Sequence, residues 1–373
     1  MFKNINKSNW QSFRFDQIAS SISEKVDPQK TDLDIYVGLE HIDPESLHIK
    51  RHGKRDDVKG AKLRCYPGDV IFGRRRAYQR KASIVDFNGF CSAHSLVLRA
   101  NTEKIEPKLF PFFLHSDLFM HRAVDISVGS LSPTINWGTL KKQEFLLPPK
   151  DQQEKIAELL WAMDDAVEKE QNILKKLNIL DNSNLKNHFY DDKVSDRIKL
   201  KNILSLKKGK KPPVLLDQGE GLPYCTAEYL RTGRIEKIVP EEANSKSIKI
   251  NESDILILWD GSNAGEMFLG KKGFLASTMC KLSINHNDFL KDFVYQFLRF
   301  KTYDIKRATI GSAIPHVDSG MIENIEIPKL KNLVQKDIIK NFNNIRRNIN
   351  SVKKKIENSK QLQKSLINEI FSS

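Results

Sequence analysis

The chain is written twice. Residues 127–156 read SVGSLSPTINWGTLKKQEFLLPPKDQQEKI, and residues 309–338 read TIGSAIPHVDSGMIENIEIPKLKNLVQKDI. Gly129-Ser130 matches Gly311-Ser312, and Gln153 matches Gln335. Both intervals are 182 residues (311 − 129 and 335 − 153), close to half of the 373. "YPGDVIFG" around Asp69 and "NESDILIL" around Asp254 keep the same order. Solenoid repeats run roughly 20 to 50 residues, so this spacing means a domain copied in tandem. Each copy is long enough to bury a core of its own.

Within each copy, short β-rich runs alternate with glycine, asparagine and charged turns. They are "DVIFG" and "HSLVLRA" in the first copy, "DILILWD" and "STMCKLSI" in the second, and they predict strands. A helical stretch follows in both, EPKLFPFFLHSDLFMHRAV and DFLKDFVYQFLRFKTYDIKRA. The fold class expected is therefore α/β (α+β) globular domains in tandem duplicate.

Each copy then runs into a long polar helix. In the second, Ile338, Phe342, Ile345, Ile349, Val352 and Ile356 advance by alternating steps of four and three, continuing through Ser359, Gln363, Leu366 and Ile370. That is a coiled-coil seam. Ile156, Leu160, Met163, Val167, Leu174 and Leu177 repeat it less regularly. Two such stripes at matching places predict an antiparallel pair. About 35 residues at 1.5 Å rise would give a rod of about 50 Å. The expected organisation is a globular domain over 1–150, a helical spacer over 151–190, a second domain over 191–330 and a second spacer over 331–373. At the first junction, Pro148 and Pro149 should stop the preceding strand or loop. Asp151 should cap the helix, with Glu154 three residues on completing a capping box.

The formal net charge is +14. Such a surplus favours a polyanion, nucleic acid first and an acidic membrane surface second. Lysine enrichment in an AT-rich genome would give the same count with no partner, so charge alone leaves both readings open. No apolar run of eighteen residues exists and the N-terminal stretch lacks a signal-peptide centre, so a cytoplasmic protein with no membrane partner is expected. Cys65, Cys91, Cys225 and Cys280 form no C-x-x-C pair. Neither a metal site nor a disulfide framework is expected.

Catalytic signatures are missing. GEMFLGKK (265–272) nearly fits a phosphate-binding loop, but Lys272 stands where a magnesium-binding hydroxyl belongs. H-E-x-x-H, G-x-S-x-G and the Asn-Pro-Pro-Tyr of amino-methyltransferases do not occur. No catalytic residue is assigned, and a site assembled from scattered residues stays open. What stands out is GRRRAYQRKAS (73–83), within a stretch from 51 to 81 that holds eleven Lys/Arg against three Asp/Glu. Arg74, Arg75, Arg76, Arg80 and Lys81 can clamp phosphates or read guanine, Gln79 can read adenine, and Tyr78 can bond phosphate or stack. In the second copy, Ser262 and Asn263 could read base edges while Lys271 and Lys272 hold phosphates. Trp259 and Asp260 could do no more than shape the turn, and His94 and His316 fit a structural role better than a functional one.

These motifs together resemble the specificity subunit of type I restriction–modification systems. The resemblance covers nearly the whole chain. It rests on the duplicated domains, on GSLSPTINWGTLKKQEFLLPPKDQQEKI with its helix, and on YVGLEHIDPESLHIKR with GDVIFGRRRAYQRKA. In the second copy it rests on LPYCTAEYLRTGRIEK with DILILWDGSNAG. It implies that each domain reads one half of a split double-stranded DNA target and that the paired helices fix the gap. The helices would also dock two methyltransferase subunits, which bring S-adenosylmethionine. Motor and nuclease subunits using ATP and magnesium would join for restriction, leaving this chain a reader with no cofactor of its own. The second junction departs from the first, lacking the double proline and the Gln-Gln-Glu, so docking of the two methyltransferase copies could be less symmetric. The resemblance further implies that the two chain ends meet. Two other readings remain, a coiled-coil scaffold binding nucleic acid or anionic lipid without sequence preference, and a stand-alone nuclease or methyltransferase.

Overall fold

The computed structural model of the protein describes residues 7–190, 196–240, 247–311 and 314–372. Its contacts group into two units, Met1–Asn172 with Lys353–Ser373, and Ile173–Val352. Each unit takes part of each long helix. Asp191, where the second domain was expected to begin, Ser312 of the repeat match and Ser373 lie outside the described residues.

In the first unit, Val70–Gly73 is a strand of four buried residues. It runs antiparallel between Ser95–Ala100 and Ala82–Ile84, and Ala19–Ile22 lies beyond Ser95–Ala100. A run apolar at every position suits a strand covered on both faces, and alternation assigns the two sides. Val70 and Phe72 join the helix-side core. Ile71 joins Val37, Cys65 and Cys91 of a second, five-stranded sheet, in which Ile35–Val37 pairs parallel with Gly89–Cys91. The helix-side core is aromatic, with Phe15 against Phe119 at 5.3 Å and Phe145 at 5.9 Å between centroids. The predicted helical stretch breaks at Ser116 into Phe110–His115 and Asp117–Asp125, because the Ser116 hydroxyl accepts from the Phe119 N–H (3.2 Å) and caps a new helix.

The second unit repeats the plan. Ile255–Leu258 lies between Met279–Ile284 and Met267–Leu269, with Leu204–Lys208 at the edge. Ile255 and Ile257 face one core, and Leu256 and Leu258 the other. Leu222–Cys225 pairs parallel with Gly273–Leu275. A single helix, Lys291–Arg307, replaces the broken pair.

The aspartates noticed in sequence immediately precede the central strands. Asp69 accepts from the Tyr66 N–H and Asp254 from the Asn251 N–H, at 2.9 Å each. Asp69 pairs with Arg99 (2.7 Å) and Asp254 with Lys281 (2.8 Å), an interval of 182 again (281 − 99). Burial pushes the Asp254 carboxyl up, but bonds from Lys281, the Asn251 amide and Lys291 outweigh it and hold the group below its ordinary value.

The long helices are Lys150–Phe189 and Asn332–Phe371, 40 residues each, about 60 Å at 1.5 Å per residue. All ten positions of the stripe from Ile338 to Ile370 are buried or half-buried. In the other helix Leu160 and Val167 are buried, while Met163 and Leu174 are half-buried. Within the first unit the two segments run antiparallel: Gln363 donates to the Leu160 carbonyl (3.1 Å), and Lys355 pairs with Glu170 (2.9 Å). Lys7 donates to the Ser372 carbonyl (2.5 Å), so the first and last described residues meet in this unit. In the second unit Leu185 and Phe189 share a core with Ile338 and Phe342.

The first helix does not start as expected. The Pro149 carbonyl accepts from the Gln152 and Gln153 N–H groups, both at 3.0 Å, so Pro149 stands at the entry and Asp151 lies inside the first turn. Asp151 faces the positive end of the dipole. The repeated glutamines anchor these entries. Gln153 accepts from the Glu106 N–H (2.6 Å) and donates to the carbonyls of Lys104 (3.0 Å) and Pro148 (2.8 Å). Gln335 accepts from Leu290 N–H (2.8 Å) and donates to Asp288 (2.7 Å) and Leu330 (2.8 Å). The lost double proline leaves this latch untouched.

Candidate nucleic-acid interface

The two pieces of the repeat that looked functional in sequence meet in space. The segment after Val70–Gly73 forms a ribbon with the Gly129-Ser130 loop: Arg76 N–H donates to Pro133 (2.8 Å), and Ile135 N–H donates to Arg74 (2.9 Å). Val128 and Thr134 close the loop by exchanging bonds of 3.0 and 2.9 Å. In the second unit Gly261 N–H donates to Pro315 (2.9 Å) and Val317 N–H to Trp259 (2.9 Å), while Ile310 and His316 exchange bonds of 2.9 and 2.8 Å. The loop arm keeps the interval of 182 (315 − 133), and the other arm keeps 185 (261 − 76). Gly129 at φ +116 and Gly311 at φ +98 take the left-handed turn that favours glycine.

The basic loop is tied down at one end. A short 3-10 turn, Ala77–Gln79, is flanked by Arg76 at φ 54 and Arg80 at φ 53, conformations that cost a non-glycine residue about 1 kcal/mol or more. Arg80 carries the restraint. Its side chain pairs with Asp117 (2.7 Å) and Glu45 (3.1 Å) and donates to the His115 carbonyl (2.7 Å). Lys81 donates to the Leu39 carbonyl (2.6 Å). These two cations, grouped with the phosphate-binding residues on sequence grounds, face inward. A left-handed residue at each end of the turn sends alternate side chains in opposite directions, which residue type alone does not reveal.

Arg75, Arg76 and Tyr78 face solvent, Tyr78 at 57% exposure, while Arg74 and Gln79 are half-buried. His94 is exposed beside them. Its pKa is lowered by partial burial and by the positive charges of Arg75, Arg74 and Lys62.

In the second unit, Ser262 and Asn263 are exposed on the turn beside the ribbon. Asp260 pairs with Lys208 (2.8 Å) as well as bridging to His316. Lys271 and Lys272 do not join them. They follow the strand Met267–Leu269 at its far end, where Lys271 donates to the Tyr229 carbonyl (3.1 Å) and lies 4.9 Å over the Tyr229 ring. The pairing of Ile257 with Met267 and of Ile255 with Leu269 puts the two turns at opposite ends of a hairpin. The face beside this ribbon is polar where the first is cationic.

Sequence reasoning also missed the loop tips. Val128 is 70% exposed and Leu131 93%; Ile310 is 51% exposed and Ile314 67%. The repeated Gly-Ser motif pointed at these loops without showing that aliphatic side chains stand at their ends. Among the described residues, no group of three or more His, Cys, Asp or Glu could hold a metal ion, and no helix is long and apolar enough to cross a membrane.

Comparison with known proteins gives one consistent result. The family model for the type I restriction modification DNA specificity domain matches residues 7–178 and 194–360. The MjaVIII specificity subunit of Methanocaldococcus jannaschii is 41% identical over 178 residues, 47% of this chain and 41% of that protein. The EcoDI specificity subunit of Escherichia coli is 30% identical over 190 residues, 49% of this chain and 42% of that one. The chain thus spans less than half the length of these relatives. In fold it is similar to the S subunit of a type I system from M. genitalium, with a TM-score of 0.63 and 17% identity, covering 100% of this chain and 98% of that one.

Proposed function

Because the chain belongs to the family of type I restriction modification DNA specificity domains, with two of them in tandem, we propose that it reads a split double-stranded DNA target, one half per unit, in the cytoplasm. The observation that carries this reading is the ribbon built twice at the same place. Each copy presents polar or cationic side chains on a turn bonded to the ribbon, as a reader of base edges and phosphates requires. In the first, Arg75, Arg76 and Tyr78 face the DNA with Arg74 behind them; in the second, Ser262 and Asn263 do so. Different residues on a shared frame suit two half-targets of different sequence.

The chain is the reader and not the catalyst. Two methyltransferase subunits bring S-adenosylmethionine and modify adenine, and motor and nuclease subunits bring ATP and magnesium. Continuous helices of 40 residues suit a ruler that sets the gap between half-targets. The test is a modified-base map of host DNA by single-molecule sequencing, with and without the gene. A two-part adenine-methylated motif that disappears with the gene supports the reading. A map that stays unchanged while the partner methyltransferase is expressed refutes it.

A further inference from the structure

An aliphatic side chain exposed singly on a surface is ordinary. The loops at 128–134 and 310–316 hold something more specific. Each is closed at its base, by Val128 with Thr134 and by Ile310 with His316, each base is bonded to the segment carrying the candidate reading residues, and Leu131 and Ile314 are exposed between the closing pairs. Leu131, at 93% exposure, touches almost nothing of its own chain. The second copy keeps the arrangement with another residue, Ile314, one position later in the repeat (314 − 131 = 183). Hairpin geometry does not require an apolar tip, since serine or asparagine would suit a solvent-facing turn better. Arg74, Arg75 and Arg76 run beside the arm at the base of the first loop and draw a polyanion toward it.

We propose that Leu131 and Ile314 are apolar wedges that press between base pairs at each half-target and unstack a step. Proteins that deform DNA use leucine and isoleucine in this way, with flanking cations holding the backbone. The wedge contributes to selectivity as well, because steps differ in how easily they open. This rests on the reading of the chain as a DNA-target reader, and it names residues that act on base surfaces as distinct from edges.

The experiment uses the full chain assembled with its methyltransferase partner and the mapped target, with 2-aminopurine placed step by step through each half. For the unsubstituted chain, fluorescence rises at one step per half. Leu131→Ser removes the rise in the first half only and weakens binding by roughly tenfold or more, the scale of losing one buried leucine side chain. Leu131→Met keeps both, and Ile314→Ser acts on the second half alone. Unchanged affinity, or an unchanged rise in Leu131→Ser, overturns the proposal. So does loss of assembly with the methyltransferase before DNA is added, which would make the tip a protein contact. If the unsubstituted chain yields no split methylated motif, the DNA-reader assignment itself has failed, a result distinct from any of these.

Discussion

Replacing Gln153 by alanine tests how the first long helix is tied to its unit. The side chain is 1% exposed and satisfies three backbone groups, the Glu106 N–H at 2.6 Å and the carbonyls of Lys104 at 3.0 Å and Pro148 at 2.8 Å. Alanine leaves all three without this partner. An orphaned buried group costs about 1–3 kcal/mol, and a carbonyl costs less where water reaches it. The three together give an expected loss of about 2–4 kcal/mol. Urea unfolding followed by tryptophan fluorescence reads this directly: Trp10, Trp137 and Trp161 lie in the first unit and Trp259 alone in the second. Trp161 is close to the latch, donating to the Lys108 carbonyl at 2.9 Å. Two units need not unfold together, so the transition to follow is the one carrying the larger share of the signal. Gln153→Glu should do no better than alanine, since a carboxylate would face the Lys104 and Pro148 carbonyls with no proton to give. A shift in Gln153→Ala below about 0.5 kcal/mol, the scatter of an ordinary surface substitution, would refute the latch.

Arg75→Ala should change stability by less than about 0.5 kcal/mol and lower the salt dependence of DNA binding by about one phosphate contact. Arg80→Ala should destabilise the first unit by about 2 kcal/mol, because it leaves Asp117 and the His115 carbonyl without their partner; equal effects of the two in a denaturation and filter-binding series would show that the inward assignment of Arg80 is wrong. Burial holds His115 down to about 4 against its usual 6.5, despite its bond to the Ala82 carbonyl. The unfolded chain therefore takes up a proton that the folded one refuses, and stability falls as pH drops from 6.5 toward 4, by about 3 kcal/mol at 1.4 kcal/mol per unit. His48 behaves oppositely: its bond to Asp164 at 2.5 Å raises its pKa against the pull of burial. Its contribution is complete below its ordinary value and is lost as pH climbs through the raised one. His115→Asn should flatten the acid limb and His48→Gln the alkaline one, and either limb staying unchanged in stability-against-pH curves removes that histidine from the account. Deleting one heptad from each long helix should shorten the permitted gap between half-targets by about 10 Å, roughly 3 base pairs; a motif map with the old gap removes the ruler.

The features that could be read from sequence are those set by periodicity. The stripe from Ile338 to Ile370 faces inward at every step because a helix has only one face per heptad to bury. Asp69 and Asp254 kept their places because each immediately precedes a strand buried on both faces. The failures share one cause, which is that direction depends on backbone angles that residue type does not specify. Arg76 and Arg80 take left-handed angles that turn Arg80 and Lys81 into the protein. Lys271 looked adjacent to Asn263 in sequence, but a strand lies between them and carries it to Tyr229. Asp151 has the chemistry of a cap, yet the Pro149 carbonyl already holds two amides of the first turn. Leu131 drew no notice because an apolar residue in a loop reads as core until its exposure is known.

The core of the first unit is closed by Ile367, Ile370 and Phe371, which pack with Trp10, Phe15 and Phe113. During synthesis, Asn172 and Phe371 are separated by 199 residues (371 − 172), or about 10–40 s of translation at roughly 5–20 residues per second. The opening unit emerges first and must wait with an aromatic surface uncovered, while the second unit is one continuous stretch, residues 173–352. The half of the molecule made earliest is thus the last to finish, and a ribosome that stops after Val352 releases a chain whose beginning, not its end, is the damaged part.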